Sequence, residues 1–252
     1  MNAPFDLNLQ DVLNAYANGM FPMADSADDK TYWVDPPLRG QLSIHNLHVP
    51  KRLKAKLKTY PYIVTHDTAF EQVITMCAQS SKGRETTWIN EEIKDIFIRL
   101  YYAGFAHSVE CWRKPEQSSD ENTHIDTDTD TEAGEQDIDT SELELVGGTY
   151  GLAIGGLFCA ESKFHRATDA SKIALVHLAA RLWKAGFTIL DTQFTNPHLE
   201  QFGIYEIPKK KYLKSVKNVI IHKTNFDLKT YTEQQLIGEY LTYLDQKQVN
   251  NT

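Results

Sequence analysis

No run of about 18 apolar residues occurs anywhere in the 252-residue chain, so a transmembrane helix is not expected. Met1–Asp6 lacks the basic-then-apolar pattern of a signal peptide, which makes a cytoplasmic location the expectation. Cysteine is scarce: Cys77, Cys111 and Cys159 are far apart, odd in number and free of any C-x-x-C pair. That excludes a disulfide framework and a structural zinc site as the basis of the fold, and the three read as small buried residues. The G-x-x-x-x-G-K-[ST] phosphate loop, the G-x-G-x-x-G fingerprint, the G-x-S-x-G elbow and the H-E-x-x-H zinc motif are all absent. None of these devices is therefore expected.

Basic residues are missing from 115–145, which holds twelve acids and no Lys or Arg. Without those twelve, 22 acids face 26 bases, so the net charge of −8 hides a mildly basic remainder that suits a polyanionic partner. The segment 115–144 has almost no apolar content and one sign of charge, and is expected to be a disordered acidic insertion at a hairpin tip. Its Asp-Thr repeat lacks the central Gly and terminal Glu of an EF-hand loop.

With 41% hydrophobic residues, the rest can build one or two real cores. Leu9–Gly19, Thr68–Ala78 and Asn90–Ala103 read as helices, and Tyr62–Thr65, Ala106–Trp112 and Leu145–Tyr150 as strands. Tyr150–Glu161 has a Gly-rich strand pattern. Ser171–Ala185 is helical, with Ile173, Val176, Leu178, Ala179 and Leu182 inward, Asp169 as N-cap and Gly186 past its end. Phe187–Phe194 is again a strand, completing a βαβ unit with parallel strands and a right-handed crossover. Along that last strand Asp191 and Gln193 share a face at the C-terminal end, where open α/β sheets bind ligands. Glu161 ends the preceding strand, giving a carboxylate on each of two strand ends with an amide between. Ordinary strand-end polar residues would give the same pattern. The basic run Lys51, Arg52, Lys54, Lys56 and Lys58 is either a solvated surface or a phosphate-contacting edge, and Lys209, Lys210, Lys211, Lys214 and Lys217 form a second cluster.

Several long segments resemble the bacterial leucyl/phenylalanyl-tRNA–protein transferases. They include Tyr16-Ala17-Asn18-Gly19-Met20-Phe21-Pro22, Tyr32-Trp33-Val34-Asp35-Pro36-Pro37-Leu38-Arg39-Gly40, Thr87-Trp88-Ile89, Gly156-Leu157-Phe158-Cys159-Ala160-Glu161-Ser162 and Leu190-Asp191-Thr192-Gln193-Phe194. The resemblance implies an α/β (α+β) protein. Residues 1–59 would form a small N-terminal domain, and residues 60–252 an acetyltransferase-like (GNAT-like) catalytic domain with splayed parallel strands. It further implies a monomeric aminoacyltransferase that moves Leu or Phe, with Met a further candidate, from charged tRNA to proteins beginning with Lys or Arg, in the N-degron degradation pathway. By the same resemblance Asp191, Gln193 and Glu161 are catalytic. Tyr16, Trp88, Phe158, Ser162, Leu175, Leu178 and Leu190 take the aminoacylated 3′ end. The donor ester that the resemblance implies is already activated, so neither a metal nor a cofactor is needed. From the charge of the basic run, Lys51, Arg52, Lys54 and Lys56 are the expected tRNA phosphate contacts.

The chain departs from the family at Thr149 and Lys163, where methionines usually line the donor pocket, and at His165. A lysine on an apolar pocket is costly unless it snorkels or meets an acid. An alternative keeps the chemistry but takes arginyl-tRNA as donor and Asp or Glu N-termini as acceptors. A more distant one is a GNAT-type acyltransferase with another acyl donor.

Overall fold

The structure, a computed structural model, describes residues 7–79, 86–115 and 138–250. Helix α1 (Leu9–Ala17) starts where the Asn8 side chain accepts the Asp11 N–H, and stops at Gly19 with φ of +79°. A two-stranded ribbon follows, β1 (Phe21–Met23) against β2 (Tyr32–Val34). Next come β3 (Leu38–Leu42), α2 (Lys51–Leu57), β4 (Ile63–His66), α3 (Phe70–Ala78), α4 (Glu91–Tyr102) and β5 (Ala106–Arg113). Beyond the acidic stretch lie β6 (Glu144–Ile154), β7 (Leu157–His165), α5 (Ala170–Lys184), β8 (Ile189–Gln193), α6 (Pro197–Glu200), β9 (Tyr205–Pro208), α7 (Lys209–Val219) and α8 (Glu233–Asn250).

Seven strands form one mixed sheet in the order β4-β5-β6-β7-β8-β3-β9, and only β7 and β8 run parallel. The chain is therefore a mixed α/β protein, and the βαβ unit expected from the sequence is β7-α5-β8. Apolar side chains fill both faces. Phe158, Leu175, Leu178 and Leu190 pack with α2 and α8 residues in one core. Tyr16, Phe97, Tyr150, Cys159, Ile189, Tyr212 and Val216 pack in the other, with α1, α3, α4 and α7. Alternation along the strands makes this division, because neighbours such as Ile189 and Leu190 face opposite cores. Helix α8 is fastened to α5 by the buried Arg181, which pairs with Glu233 and donates to the Phe226 carbonyl at 2.9 Å, while His177 meets Glu233 at 2.8 Å.

Some expectations need correction. Tyr150–Glu161 is not one strand but the bend of a hairpin, β6 turning into β7 at Gly155 and Gly156. Gly155 has φ of +55°, and a Cβ there would lie 2.3 Å from the Ile220 carbonyl oxygen, so only glycine fits the turn. Strand β7 runs on to His165, which makes Glu161 an interior residue rather than a strand end. Asp169 precedes α5 in the left-handed region and makes no side-chain cap; its carboxylate pairs with Lys56 and Lys172 instead. Residues 116–137, most of the acidic segment, lie outside the described residues. The strands on either side of it are antiparallel neighbours, as the hairpin reading requires. All three cysteines are buried, and among the described residues no helix is long and apolar enough to cross a membrane.

Candidate active site

Strands β7 and β8 pair at Leu157–Ile189, Phe158–Leu190 and Cys159–Asp191, and the register stops there. From Ala160 on, β7 stays bonded to β6 alone, while β8, paired with β3 from Leu190, continues with β3 alone to Gln193. The two parallel strands thus part just past their last shared pair. Glu161 stands on one side of the opening and Gln193 on the other, bridged by Gln193 Nε2 donating to Glu161 Oε1 at 2.9 Å. Gln193 adopts φ of +57°, a costly conformation for a residue with a side chain.

That conformation is held from beneath. Asp191, 0% exposed, accepts the Gln193 backbone N–H at 3.3 Å. It is itself gripped by Arg39, also 0% exposed, through Nε at 3.2 Å and a short second contact from Nη2, and by the Tyr212 hydroxyl at 3.3 Å. Arg39 donates its remaining amino group to the Gly19 carbonyl at 2.7 Å and lies over the rings of Phe21 and Tyr212. Burial alone would discourage its charge, but Asp191 outweighs burial and holds the guanidinium pKa above its usual value. The Asp191 carboxylate reaches the backbone of Gln193 and not the side-chain amide. It acts on the amide only by fixing the strand end that carries it.

Glu161 is the chemically adjustable group. Burial pushes its carboxyl up to about 8; the Tyr16 phenol opposes that rise, and Asp191 adds to it. Tyr16, buried on α1, lies beside Glu161 but outside hydrogen-bonding geometry, and its own pKa is raised by burial and by that carboxyl. Gln193 gives its amino group to Glu161, which leaves the amide carbonyl for another donor.

The other residues singled out in the sequence divide between the two faces. Trp88 is half-buried against the Tyr16 core, and its carbonyl accepts the Ala24 N–H at 3.2 Å. Phe158, Leu175, Leu178 and Leu190 are buried in the core on the opposite face of the sheet, with Phe158 stacked on Phe226. Ser162 is half-buried on β7, and its carbonyl accepts Thr149 Oγ1 at 2.9 Å, so buried Thr149 is satisfied within the sheet. Lys163 is half-buried, its pKa lowered by burial, and joins no ion pair among the described residues. His165 is exposed, 3.5 Å from Ser171 Oγ. On α2, Lys54 pairs with Asp245 and Lys56 with Asp169, whereas Lys51 and Arg52 are exposed. Arg39 and Tyr212 were missed in the sequence. Arg39 sits inside a quoted motif, but nothing local announces a partner 152 positions away.

A family model for leucyl/phenylalanyl-tRNA protein transferase matches residues 41–118 and 139–217, and one for the N-terminal domain of that protein matches residues 5–37. The break between 118 and 139 falls within the acidic stretch. The chain is similar to a leucyl/phenylalanyl-tRNA--protein transferase of Hyphomonas neptunium, at 46% identity over 82% of this chain and 70% of that protein. It is similar to proteins of the same name from Paramagnetospirillum magneticum, at 42% over 86% of this chain and 90% of the relative, and from Rhodopseudomonas palustris, at 40% over 94% and 91%. With both family models matched and relatives at this identity spanning most of its length, the chain belongs to the leucyl/phenylalanyl-tRNA–protein transferase family.

Proposed function

We propose that the protein transfers Leu or Phe from a charged tRNA to the N-terminal α-amine of an acceptor protein beginning with Lys or Arg. The observation that carries the site assignment is the Gln193–Glu161 bridge across the gap where β7 and β8 part. The amine nitrogen attacks the ester carbonyl carbon; a C–N bond forms and the bond to the ribose oxygen breaks. In the ionised form of Glu161, the minor form at neutral pH for a carboxyl near 8, the carboxylate takes the proton lost by nitrogen and passes it to the departing ribose oxygen. A carboxyl near 8 matches an α-amine of ordinary pKa about 8, so proton exchange between them is nearly balanced at neutral pH. Gln193 positions the amine, and Asp191 with Arg39 positions Gln193. The donor ester is already activated, so most of the acceleration comes from holding two reactants together and stabilising the charge that develops. Half-buried Trp88 would stack against the single-stranded tRNA end, whereas Tyr16, Phe158, Leu175, Leu178 and Leu190 are buried and would have to part to admit the adenosine or the apolar donor side chain.

The parting strands also support a GNAT-like catalytic unit over residues 60–252, to which β3 of the 1–59 segment contributes a strand. Acceptors given a bulky apolar N-terminus would be marked for N-degron degradation. The test is a transfer assay with tRNAs charged with Leu, Phe, Met or Arg and peptides beginning with Lys, Arg, Asp or Glu. Leu or Phe on Lys and Arg peptides is expected, with Glu161→Gln and Gln193→Ala each slower by on the order of 10²-fold. Half-buried, unpaired Lys163 favours one alternative, an acidic acceptor residue held against it. Arg appearing on Asp or Glu peptides would establish that specificity instead.

A further inference from the structure

Charge and placement single out α7. Its inward face carries Tyr212, Val216 and Val219, and the Tyr212 hydroxyl touches Asp191. Its outward face carries Lys210, Lys211, Lys214 and Lys217, all exposed. None of these four forms an ion pair among the described residues, whereas Lys209 beside them is taken by Asp35. Four like charges on one helix face, unpaired among the described residues, repel one another. An incoming row of negative charges would relieve that repulsion.

Helix α2, the other lysine-rich segment, is placed differently. It packs in the core with Phe158 and α5, on the sheet face opposite Asp191, and two of its four basic residues between 51 and 56 are already paired to Asp245 and Asp169. Helix α7 lies on the Asp191 side, in the core that holds Tyr16, Cys159 and Tyr212. Only the thickness of one helix, about 10 Å, separates its lysines from the carboxylate it supports.

We infer that the outer face of α7 is the main phosphate-binding surface of the protein, receiving the tRNA backbone next to the aminoacylated 3′ end. This rests on the transfer reading for the identity of the polyanion. An 11-residue helix is about 16 Å long, enough to follow several consecutive phosphates. Lysine suits the task because such contacts position a duplex without reading its sequence.

The test compares the wild type with Lys210→Glu/Lys211→Glu/Lys214→Glu and with the milder Lys→Gln triple, and with Lys51→Glu/Arg52→Glu as the α2 control. Thermal melting checks that each still folds. Binding of fluorescently labelled, uncharged tRNA is measured across a salt series. Transfer is then measured with intact aminoacyl-tRNA and with aminoacyl-adenosine, which keeps the reacting ester but has no phosphates beyond it. The α7 variants should bind tRNA at least about tenfold more weakly, with the log–log salt slope shallower by about one per lysine removed. Their KM for aminoacyl-tRNA should rise while transfer from aminoacyl-adenosine stays at the wild-type rate; the α2 control should change little. Unchanged tRNA binding in the α7 variants, a larger loss in the α2 control, or equal losses with both donors would overturn the assignment. If the wild type binds tRNA through α7 but transfers nothing from any charged tRNA, the surface stands and the transfer reading fails.

Discussion

Asp191 and Glu161 are carboxyls on adjacent strands with different surroundings. Asp191 is sealed in, with Arg39 as its counter-ion; Glu161 faces an amide and a phenol. Breaking a buried pair by removing one member strands the other charge, so Arg39→Met should cost about 3–5 kcal/mol. The double variant Arg39→Met/Asp191→Leu should recover much of that loss, because no charge is left buried. Urea denaturation of the two singles and the double closes the cycle, and strictly additive losses would mean the pair is not coupled. Glu161 acts in the opposite sense. Between about pH 4.5 and pH 8 the folded protein keeps a proton that the unfolded chain has released, so stability falls as pH rises through that window. Glu161→Gln removes this penalty. It should be more stable than the wild type by roughly 1–2 kcal/mol at pH 9, after discounting for partial exposure, and show little difference near pH 4. A gap in melting temperature that stays constant from pH 4 to pH 9 would contradict the assignment of a raised carboxyl.

The elements that place the site rely on glycine where β6 and β7 cross most closely. A Cβ on Gly151 would lie 2.2 Å from the Cys159 carbonyl oxygen and 2.5 Å from the Phe158 ring, beside a register shift in the β6–β7 ladder. Gly151→Ala must therefore displace β7 just where it leaves β8. A loss of about 1–3 kcal/mol is expected, with a further drop in transfer among molecules that still fold. Stability within 0.5 kcal/mol of wild type would show that the strands have slack. The same elements show what the sequence could and could not reveal. The β7-α5-β8 unit was readable because α5 repeats apolar residues at helical spacing and β8 alternates sides, placing Asp191 and Gln193 together without any structure. The hairpin at Gly155 was not, since an apolar Gly-rich run reads equally as one strand or two. Nor was β3, whose five residues gain their meaning from pairing with β8 and β9 far along the chain. Arg39 was hidden for the same reason: a long-range ion pair leaves no trace in local spacing. Charge density alone could not rank the two basic helices, because a sequence shows lysines but not the acids, here Asp245 and Asp169, that pair with Lys54 and Lys56.

Across the whole molecule, charge is divided between a compact basic surface and an acidic segment. Residues 116–137 carry nine acids and no Lys or Arg, so replacing them with a short Gly-Ser joint between Pro115 and Ile138 changes the net charge from −8 to +1. Among the described residues, the side chains that hold the Gln193–Glu161 bridge come from α1, β3, β8 and α7. Turnover at saturating aminoacyl-tRNA should therefore stay within about twofold of wild type. Association is another matter, because a polyanion approaching a chain of net charge −8 meets a long-range repulsion that local lysines only partly offset. At 20 mM salt the shortened protein should show a lower KM for aminoacyl-tRNA, by about threefold to tenfold. The two proteins should converge above roughly 0.3 M, where the screening length falls well below the size of the molecule. A KM advantage that persists at high salt would mean the segment blocks the site sterically rather than through its field. A loss of turnover with folding intact would mean that the acidic stretch takes part in the reaction itself, by recruiting the acceptor or by ordering the tRNA.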